Sequence, residues 1–329
     1  MGRRARRLAG VLAAAAVAVA GIAAASGRGG APMLRFRVFA WNVPRADGIV
    51  WTGRRFLFVQ NTANVVWAAP AAGAPLTRFA QLPRLVEEAR CVLSPGAGGF
   101  APGAVFCHAP NHAIYELTPG GGRRLFATLP GPATPASDGA LAYDDVGRFG
   151  HTLVAATGRS GARRPAGGSV YTISPRGRVH LVGTYMGSGG ADEVAIAPSS
   201  LGAASGDALL TVDAGAAGGS LVAMTPAGAT RTLATFADGP NPVLTLPRTL
   251  PRVRREPSPG LYLTDDETPY VYHAPLAPLA RYAGDLLVGT ESRATFWIVR
   301  PSGSGFAKVP VATNFAQRRH SVEAALVVP

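Results

Sequence analysis

The sequence predicts an all-β protein: a six-bladed β-propeller, with seven blades as the alternative count, preceded by a signal peptide. Three observations predict it. The 329 residues include 41 glycines and 28 prolines, which are typical of a chain with many tight turns. Hydrophobic residues make up 47%, which excludes a disordered chain. After the first 26 residues the apolar segments are short, rich in strand-forming residues, and recur in units of about four strands.

The first 26 residues have the pattern of a secretory signal peptide. Four arginines precede an uncharged apolar run over 8–25, and three alanines end that run before Ser26. These arginines are Arg3, Arg4, Arg6 and Arg7. Because the run approaches the roughly 20 residues that span a membrane, an uncleaved anchor is the alternative. Cleaved export predicts a secreted or extracytoplasmic protein with no membrane span after cleavage. The rest of the chain, 27–329, is predicted to form a single propeller domain.

The charge of the chain is positive but dispersed. The formal net charge is +13, from 32 basic and 19 acidic residues. Removing the signal peptide takes away four arginines and leaves 13 − 4 = +9. The basic residues are scattered, and no recognition helix or stripe of alternating basic and aromatic residues collects them. The sequence therefore predicts no nucleic-acid partner.

The two cysteines, Cys91 and Cys107, flank a turn-rich segment over 94–99. Opposed residues of an antiparallel hairpin share a constant index sum. The sum 91 + 107 = 198 also pairs Ser94 with Ala104, which leaves a loop between them. In an oxidising compartment this arrangement favours a disulfide, and two buried free thiols are the alternative.

A repeated unit predicts the blades. Each unit begins with an acidic residue and continues with about four short apolar strands separated by turns. The first four units begin at Asp47, Glu88, Asp138 and Asp192, which are 41, 50 and 54 residues apart. Such four-stranded units expose apolar faces when isolated and bury them when they stack around an axis.

The later part of the chain is less regular. We expect a fifth unit from Asn241 that continues with strands over 261–265 and 270–272. A sixth unit has three strands, over 285–289, 295–299 and 308–311, and no clear inner strand. The segments 36–40 and 322–328 are predicted to complete one blade together, which closes the ring without an open edge.

Four short motifs carry a resemblance to a known superfamily. They are Asp138-Gly139-Ala140-Leu141-Ala142-Tyr143-Asp144, Leu210-Thr211-Val212-Asp213, Gly239-Pro240-Asn241 and Leu261-Tyr262-Leu263-Thr264-Asp265. The pattern resembles the six-bladed propellers of regucalcin, gluconolactonase and strictosidine-synthase-like proteins, with NHL-type repeats as near relatives. The sequence departs from it at the first blade, where Asp47-Gly48 stands in place of a glutamate-glycine pair.

The resemblance implies a divalent cation, calcium above all, at one mouth of the central channel. Hard cations take several oxygen ligands at roughly 2.3–2.6 Å. The positions in this sequence that match the ligands are Asp138, Glu193, Asn241 and Glu323, and Asp192 is the candidate general base. The alternative is that acidic residues at blade starts only hydrogen-bond turn backbone.

Two functions follow from the resemblance. The first is an exported hydrolase that cleaves a lactone or small ester with a bound cation, and it predicts at least three converging carboxylates. The second is a non-catalytic exported propeller that binds a protein, a glycan or another envelope component, and it predicts carboxylates paired with arginines.

Overall fold

The computed structural model describes residues 31–83, 88–109, 112–130, 140–158, 166–187, 189–213, 217–249, 257–315 and 320–328. The predicted signal peptide over 1–26 lies outside the described residues, and so does the candidate ligand Asp138. Among the described residues, no helix has the length and apolar character needed to cross a membrane.

The described strands form six sheets, which are the blades of one propeller. Blade 1 consists of β3 (Ala46–Trp51), β4 (Arg55–Gln60), β5 (Val65–Pro70) and β6 (Thr77–Gln81). Blade 2 consists of β7 (Arg90–Leu93), β8 (Val105–Ala109), β9 (Ala113–Leu117) and β10 (Arg123–Thr128). Blade 3 consists of β11 (Ala140–Tyr143), β12 (Leu153–Thr157), β13 (Ala166–Ile173) and β14 (Val179–Gly187). Blade 4 consists of β15 (Ala191–Ile196), β16 (Ala208–Asp213), β17 (Gly219–Met224) and β18 (Thr230–Phe236).

The last two blades are assembled from distant parts of the chain. Blade 5 consists of β19 (Pro240–Thr245), β22 (Leu286–Thr290), β23 (Phe296–Ser302), β24 (Gly305–Thr313) and, at its outer edge, β1 (Met33–Leu34). Blade 6 consists of β25 (Val322–Val328), β20 (Gly260–Asp265), β21 (Tyr270–Ala274) and β2 (Arg37–Trp41). Two short 3-10 helices, Ser199–Ala204 and Ala277–Tyr282, lie in connections.

The inner strands β3, β7, β11, β15, β19 and β25 pack in that order around the axis, and β25 packs against β3. Six apolar clusters fill the spaces between neighbouring blades. Both faces of a blade are therefore covered, which explains the continuous apolar runs. In β16, for example, Leu209 packs toward blade 5 and Leu210 toward blade 3. The predicted propeller is confirmed, with six blades.

The first four units fold as the sequence predicts, each from consecutive strands, but the predicted fifth unit is wrong. The chain leaves blade 5 after β19, contributes the β20–β21 hairpin to blade 6, and returns to complete blade 5 with β22, β23 and β24. The missing inner strand of the predicted sixth unit is thus β19. The predicted closure is confirmed, because β25 and β2 are the inner and outer strands of one blade.

The disulfide between Cys91 and Cys107 is present, and it joins opposed residues of β7 and β8. The predicted register extends beyond it, since the Ser94 amide donates to the Ala104 carbonyl oxygen at 2.8 Å.

Candidate functional site: the acidic mouth of the central channel

The starts of the inner strands meet at one end of the channel, which we call the acidic mouth. Four of these starts carry a β-bulge in the ladder to the second strand. The bulges contain Asp47, Asp192, Asn241 and Glu323. A bulge turns its extra residue out of the regular alternation of the strand. The local backbone therefore aims these polar side chains at the mouth, while the residues that follow pack between blades.

Arg90, at the start of β7, is the central cation of the mouth, and its side chain is 5% exposed. Its Nη2 lies 2.6 Å from a Glu88 carboxylate oxygen and 3.7 Å from Glu323 Oε2. Its Nη1 donates to the backbone oxygen of Asp47. Burial opposes the charged form, but the neighbouring carboxylates outweigh it and hold the pKa of Arg90 above its usual range.

Asn241 and Glu323 connect blades 5 and 6 at the mouth. The Asn241 side-chain amide donates to Glu323 Oε2 at 3.3 Å and to Glu291 Oε1 at 3.2 Å. Ser321 Oγ donates to the second oxygen of Glu323 at 2.6 Å. Burial raises the pKa of Glu323 well above its ordinary value. Asn241 is fully buried, and its Oδ1 has no hydrogen-bond partner among the described residues.

Three carboxylates form a cluster beside Asn241. Asp192, Asp213 and Glu291 each place one oxygen within 4.8 Å of the others. The Glu291 amide donates to the Gly239 carbonyl oxygen at 2.9 Å, and a Cβ on Gly239 would overlap Asp213 Oδ1. The cluster thus forms where a glycine lets two chain segments approach. Burial, together with the charges of Glu323 and Asp213, raises the pKa of Glu291 to about 9.

Glu193 faces a different direction from its neighbour Asp192. Its Oε2 accepts a hydrogen bond from the Val243 amide at 2.8 Å. Burial raises the pKa of Glu193 to about 7, against the opposing effect of Arg90. Glu193 is far from the outer surface of the protein. It is nevertheless only half-buried, because part of it borders the central channel.

The central channel is a cavity of about 480 Å³ bordered by the inner strands of all six blades. Arg90 and Glu193 border it at the acidic mouth, and Trp51, Tyr143 and Asp145 border it at the opposite end. The wall between these ends is mainly apolar, with contributions from Val50, Val92, Leu141, Val194, Leu244 and Leu326. Its volume is within the range of small-molecule sites.

The structure brings four of the five predicted site residues to this mouth, and they do not form a single ligand shell. Glu323 and Asn241 bond each other, Glu193 bonds the Val243 amide, and Asp192 belongs to the three-carboxylate cluster. Sequence reasoning missed Asp213 and Glu291. A signal for them exists: in an antiparallel blade, an acidic residue at the end of the second strand lies beside the start of the first.

Comparisons with known proteins support the fold. No protein-family profile and no curated protein sequence matches the chain. The PQQ-bound aldose sugar dehydrogenase of Streptomyces coelicolor is 14% identical, with a TM-score of 0.54 over 83% of this chain and 82% of that chain. The apo-form aldose sugar dehydrogenase of Escherichia coli is 10% identical, with a TM-score of 0.54 over 84% and 89%. A chain of a nidogen/laminin complex is 9% identical, with a TM-score of 0.52 over 86% and 84%.

The TM-scores show that the chain shares its fold with the three structures, and identities of 9–14% support no closer relationship. That fold agrees with the six-bladed superfamily that the sequence resembles. Because the same architecture occurs in two dehydrogenases and in an assembly of proteins, the fold alone does not decide the function. The function depends on the side chains of the acidic mouth.

Proposed function

We propose that this protein is a divalent-cation-dependent hydrolase that cleaves a lactone or small ester at the acidic mouth. The observation that supports it is the cluster of Asp192, Asp213 and Glu291, with carboxylate oxygens within 4.8 Å of one another. The Asn241 side-chain amide donates to Glu291, and the buried Oδ1 of Asn241 has no hydrogen-bond partner among the described residues, so we count this oxygen as a candidate fourth ligand. An all-oxygen set with several carboxylates suits Ca²⁺ better than a soft metal.

In this proposal the cation is held by the three carboxylates and Asn241. When bound, it polarises the carbonyl of the substrate. Glu193 follows Asp192 in the chain and borders the channel, so we assign it the general base and give Asp192 a ligand role. Water adds to the carbonyl carbon, its proton passes through Glu193 to the departing alkoxide, and the bond between carbonyl carbon and ring or ester oxygen breaks. The product of a lactone is a hydroxy acid.

A binding protein is the second candidate, and one observation favours it. Arg90 contacts Glu88 and Glu323 directly, which is the carboxylate–arginine pairing that a non-catalytic mouth predicts. In that case the partner is a protein, a glycan or another envelope component. For either function we propose export, since the chain begins with a signal-like sequence and contains a disulfide between Cys91 and Cys107.

The test is a calcium titration of the protein from residue 27 onward, followed by thermal unfolding. A ligand that binds only the folded state stabilises it by RT ln(1 + [L]/Kd). We expect the midpoint to rise with calcium, and Asp213→Asn and Glu291→Gln to abolish the rise. The matched control is Glu116→Gln, a carboxylate that pairs with Arg124 in blade 2, away from the mouth. The control should retain the full rise.

Activity is tested in the same samples with lactone and ester substrates. A chelator should abolish hydrolysis, and calcium should restore it. Stability that does not respond to millimolar calcium or other divalent ions would favour the binding protein, as would hydrolysis that is absent with calcium present.

A further inference from the structure

A second cavity, of about 380 Å³, lies between blades 1 and 2, at the end of the molecule opposite the acidic mouth. The turn between β3 and β4, the β7–β8 loop and the turn between β9 and β10 surround it. Among the described residues, it shares no lining residue with the central channel. Its volume is within the range of small-molecule sites, so we consider it as a binding site separate from the proposed reaction.

The floor of this second cavity is apolar. Leu57, Val105 and Leu117 line it, and all three belong to the buried cluster between blades 1 and 2. Phe79, from the outer strand of blade 1, adds an aromatic ring. The cavity can therefore take the hydrocarbon part of a ligand, and the charged groups of its wall decide what else that ligand carries.

Arg55 is the principal cation of the wall, and it is only half-buried. Its guanidinium carbon lies 5.0 Å from the centroid of the Phe79 ring, and both residues line the cavity. This cation–π contact restricts the position of the guanidinium and provides no oxygen acceptor. The guanidinium has no hydrogen bond or ion pair with another residue in the described part of the chain. Its N–H donors are therefore available to a ligand in the cavity.

Arg54 and Glu116 complete the charged groups of the lining. Arg54 is exposed, and its guanidinium is likewise unpaired within the described residues. The Glu116 side chain is 19% exposed and pairs with Arg124, which lies outside the lining. The lining thus carries two positive charges and one negative charge. A monoanion balances this set, whereas a dianion would add a further negative charge close to Glu116.

We propose that this second cavity binds a small monocarboxylate with an apolar body. The carboxylate accepts hydrogen bonds from Arg55, with Arg54 as a second cation, and the apolar body packs against Phe79 and the apolar floor. The planar guanidinium matches the two oxygens of a carboxylate, which favours this head over a spherical anion. The inference does not depend on the proposed hydrolase, because the acidic mouth contributes no residue to this lining.

Binding is tested by calorimetry on the protein used for the calcium titration. The probes are 3-phenylpropanoate, its neutral amide 3-phenylpropanamide, acetate and inorganic phosphate. We expect 3-phenylpropanoate to bind at least about tenfold more tightly than each of the others, which corresponds to about 1.4 kcal/mol. The amide removes the charge, acetate removes the apolar body, and phosphate at pH 8 is mainly a dianion.

Substitutions test whether binding occurs at the two arginines. Arg55→Gln should weaken 3-phenylpropanoate about tenfold, because it removes the charged donor. Arg54→Gln should weaken it less, because that side chain is exposed. Glu116→Gln removes the negative charge of the lining and should strengthen binding about threefold. The matched control is Arg178→Gln, which removes an exposed arginine of blade 3, lowers the net charge equally, and should leave binding unchanged.

The inference is overturned if 3-phenylpropanoate binds no more tightly than its amide, or if folded Arg55→Gln protein binds it as tightly as the unchanged protein does. An equal loss in Arg178→Gln would reveal a general effect of net charge and would also overturn it. Tighter binding of phosphate would overturn the assigned ligand class. Failure of the hydrolase is a separate result, because the calcium titration and the turnover assay report on the acidic mouth.

Discussion

Replacing Arg90 with methionine tests whether the buried cation organises the acidic mouth. The side chain is 5% exposed and contacts Glu88 at 2.6 Å and Glu323 at 3.7 Å, and Glu323 is itself 4% exposed on its side chain. Removing one partner of a buried ion pair leaves an uncompensated charge and costs about 3–5 kcal/mol. Methionine keeps most of the volume, so a cavity contributes little. We expect Arg90→Met to lower the free energy of unfolding by that amount at pH 7.5.

The sign of the pH dependence separates a charge effect from a packing effect. Burial already raises the pKa of Glu323 in the folded protein, and loss of Arg90 raises it further. A carboxyl whose pKa is higher folded than unfolded takes up its proton more readily in the folded state. Its folded state therefore loses stability as the pH rises above the ordinary range for glutamate. The deficit of Arg90→Met should be smaller at pH 5 than at pH 8.

The assay is urea unfolding of both proteins, followed by far-UV circular dichroism and tryptophan fluorescence at the two pH values. The control is Arg124→Met, which removes a side chain that is 65% exposed and pairs with Glu116 on the rim. Exposed pairs contribute at most about 1 kcal/mol. A loss below 1 kcal/mol in Arg90→Met, or an equal loss at both pH values, would refute the reasoning.

Three further predictions concern the hairpin of blade 2 and the carboxylate cluster. Burial lowers the pKa of His108 to about 4, so stability should fall by about 3 kcal/mol as the pH decreases from 6.5 to 4, where the unfolded chain binds the proton first. The fall should be shallower in His108→Gln, while His112, whose pKa is also lowered by burial, contributes in the same direction. The double substitution Cys91→Ala with Cys107→Ala removes a link between residues 16 apart and should cost about 3 kcal/mol in urea unfolding, whereas an unchanged midpoint would contradict the loop-entropy argument. Gly239→Ala should displace the Asp213 carboxylate and reduce the calcium-induced rise of the thermal midpoint, and a full rise would show that Asp213 is not a ligand.

The sequence predicts most of the fold because four blades are local. In blades 1–4 every strand pairs with the next strand along the chain, so periodicity and turn signals are sufficient. Blades 5 and 6 differ, because the segments 260–265 and 270–274 have the same apolar pattern wherever they pair. Nothing in the sequence of the β20–β21 hairpin itself indicates which sheet it joins.

The sequence also predicts part of the candidate site. Polar residues at blade starts identify the mouth, but the bulges decide which of two neighbours faces the channel. At the start of β15 the ladder shifts between Ala191 and Glu193, which places Asp192 with Asp213 and leaves Glu193 at the cavity. A bulge of this kind depends on the partner strand and has no signature within the strand itself.

The exchange of the β20–β21 hairpin makes blades 5 and 6 a single unit of assembly. A chain that emerges from the ribosome can complete the first four blades one after another, since each needs only the residues just synthesised. Neither blade 5 nor blade 6 can be completed before strands from the end of the chain have been synthesised. The hairpin has no inner neighbour until β25 has been made, and β1 and β2, synthesised first, stay unpaired until β24 and β21 exist. Contacts of such long sequence separation slow folding. Deleting β25 should therefore disrupt the paired blades together, and fusions at that strand should be tolerated less well than insertions in the first four blades.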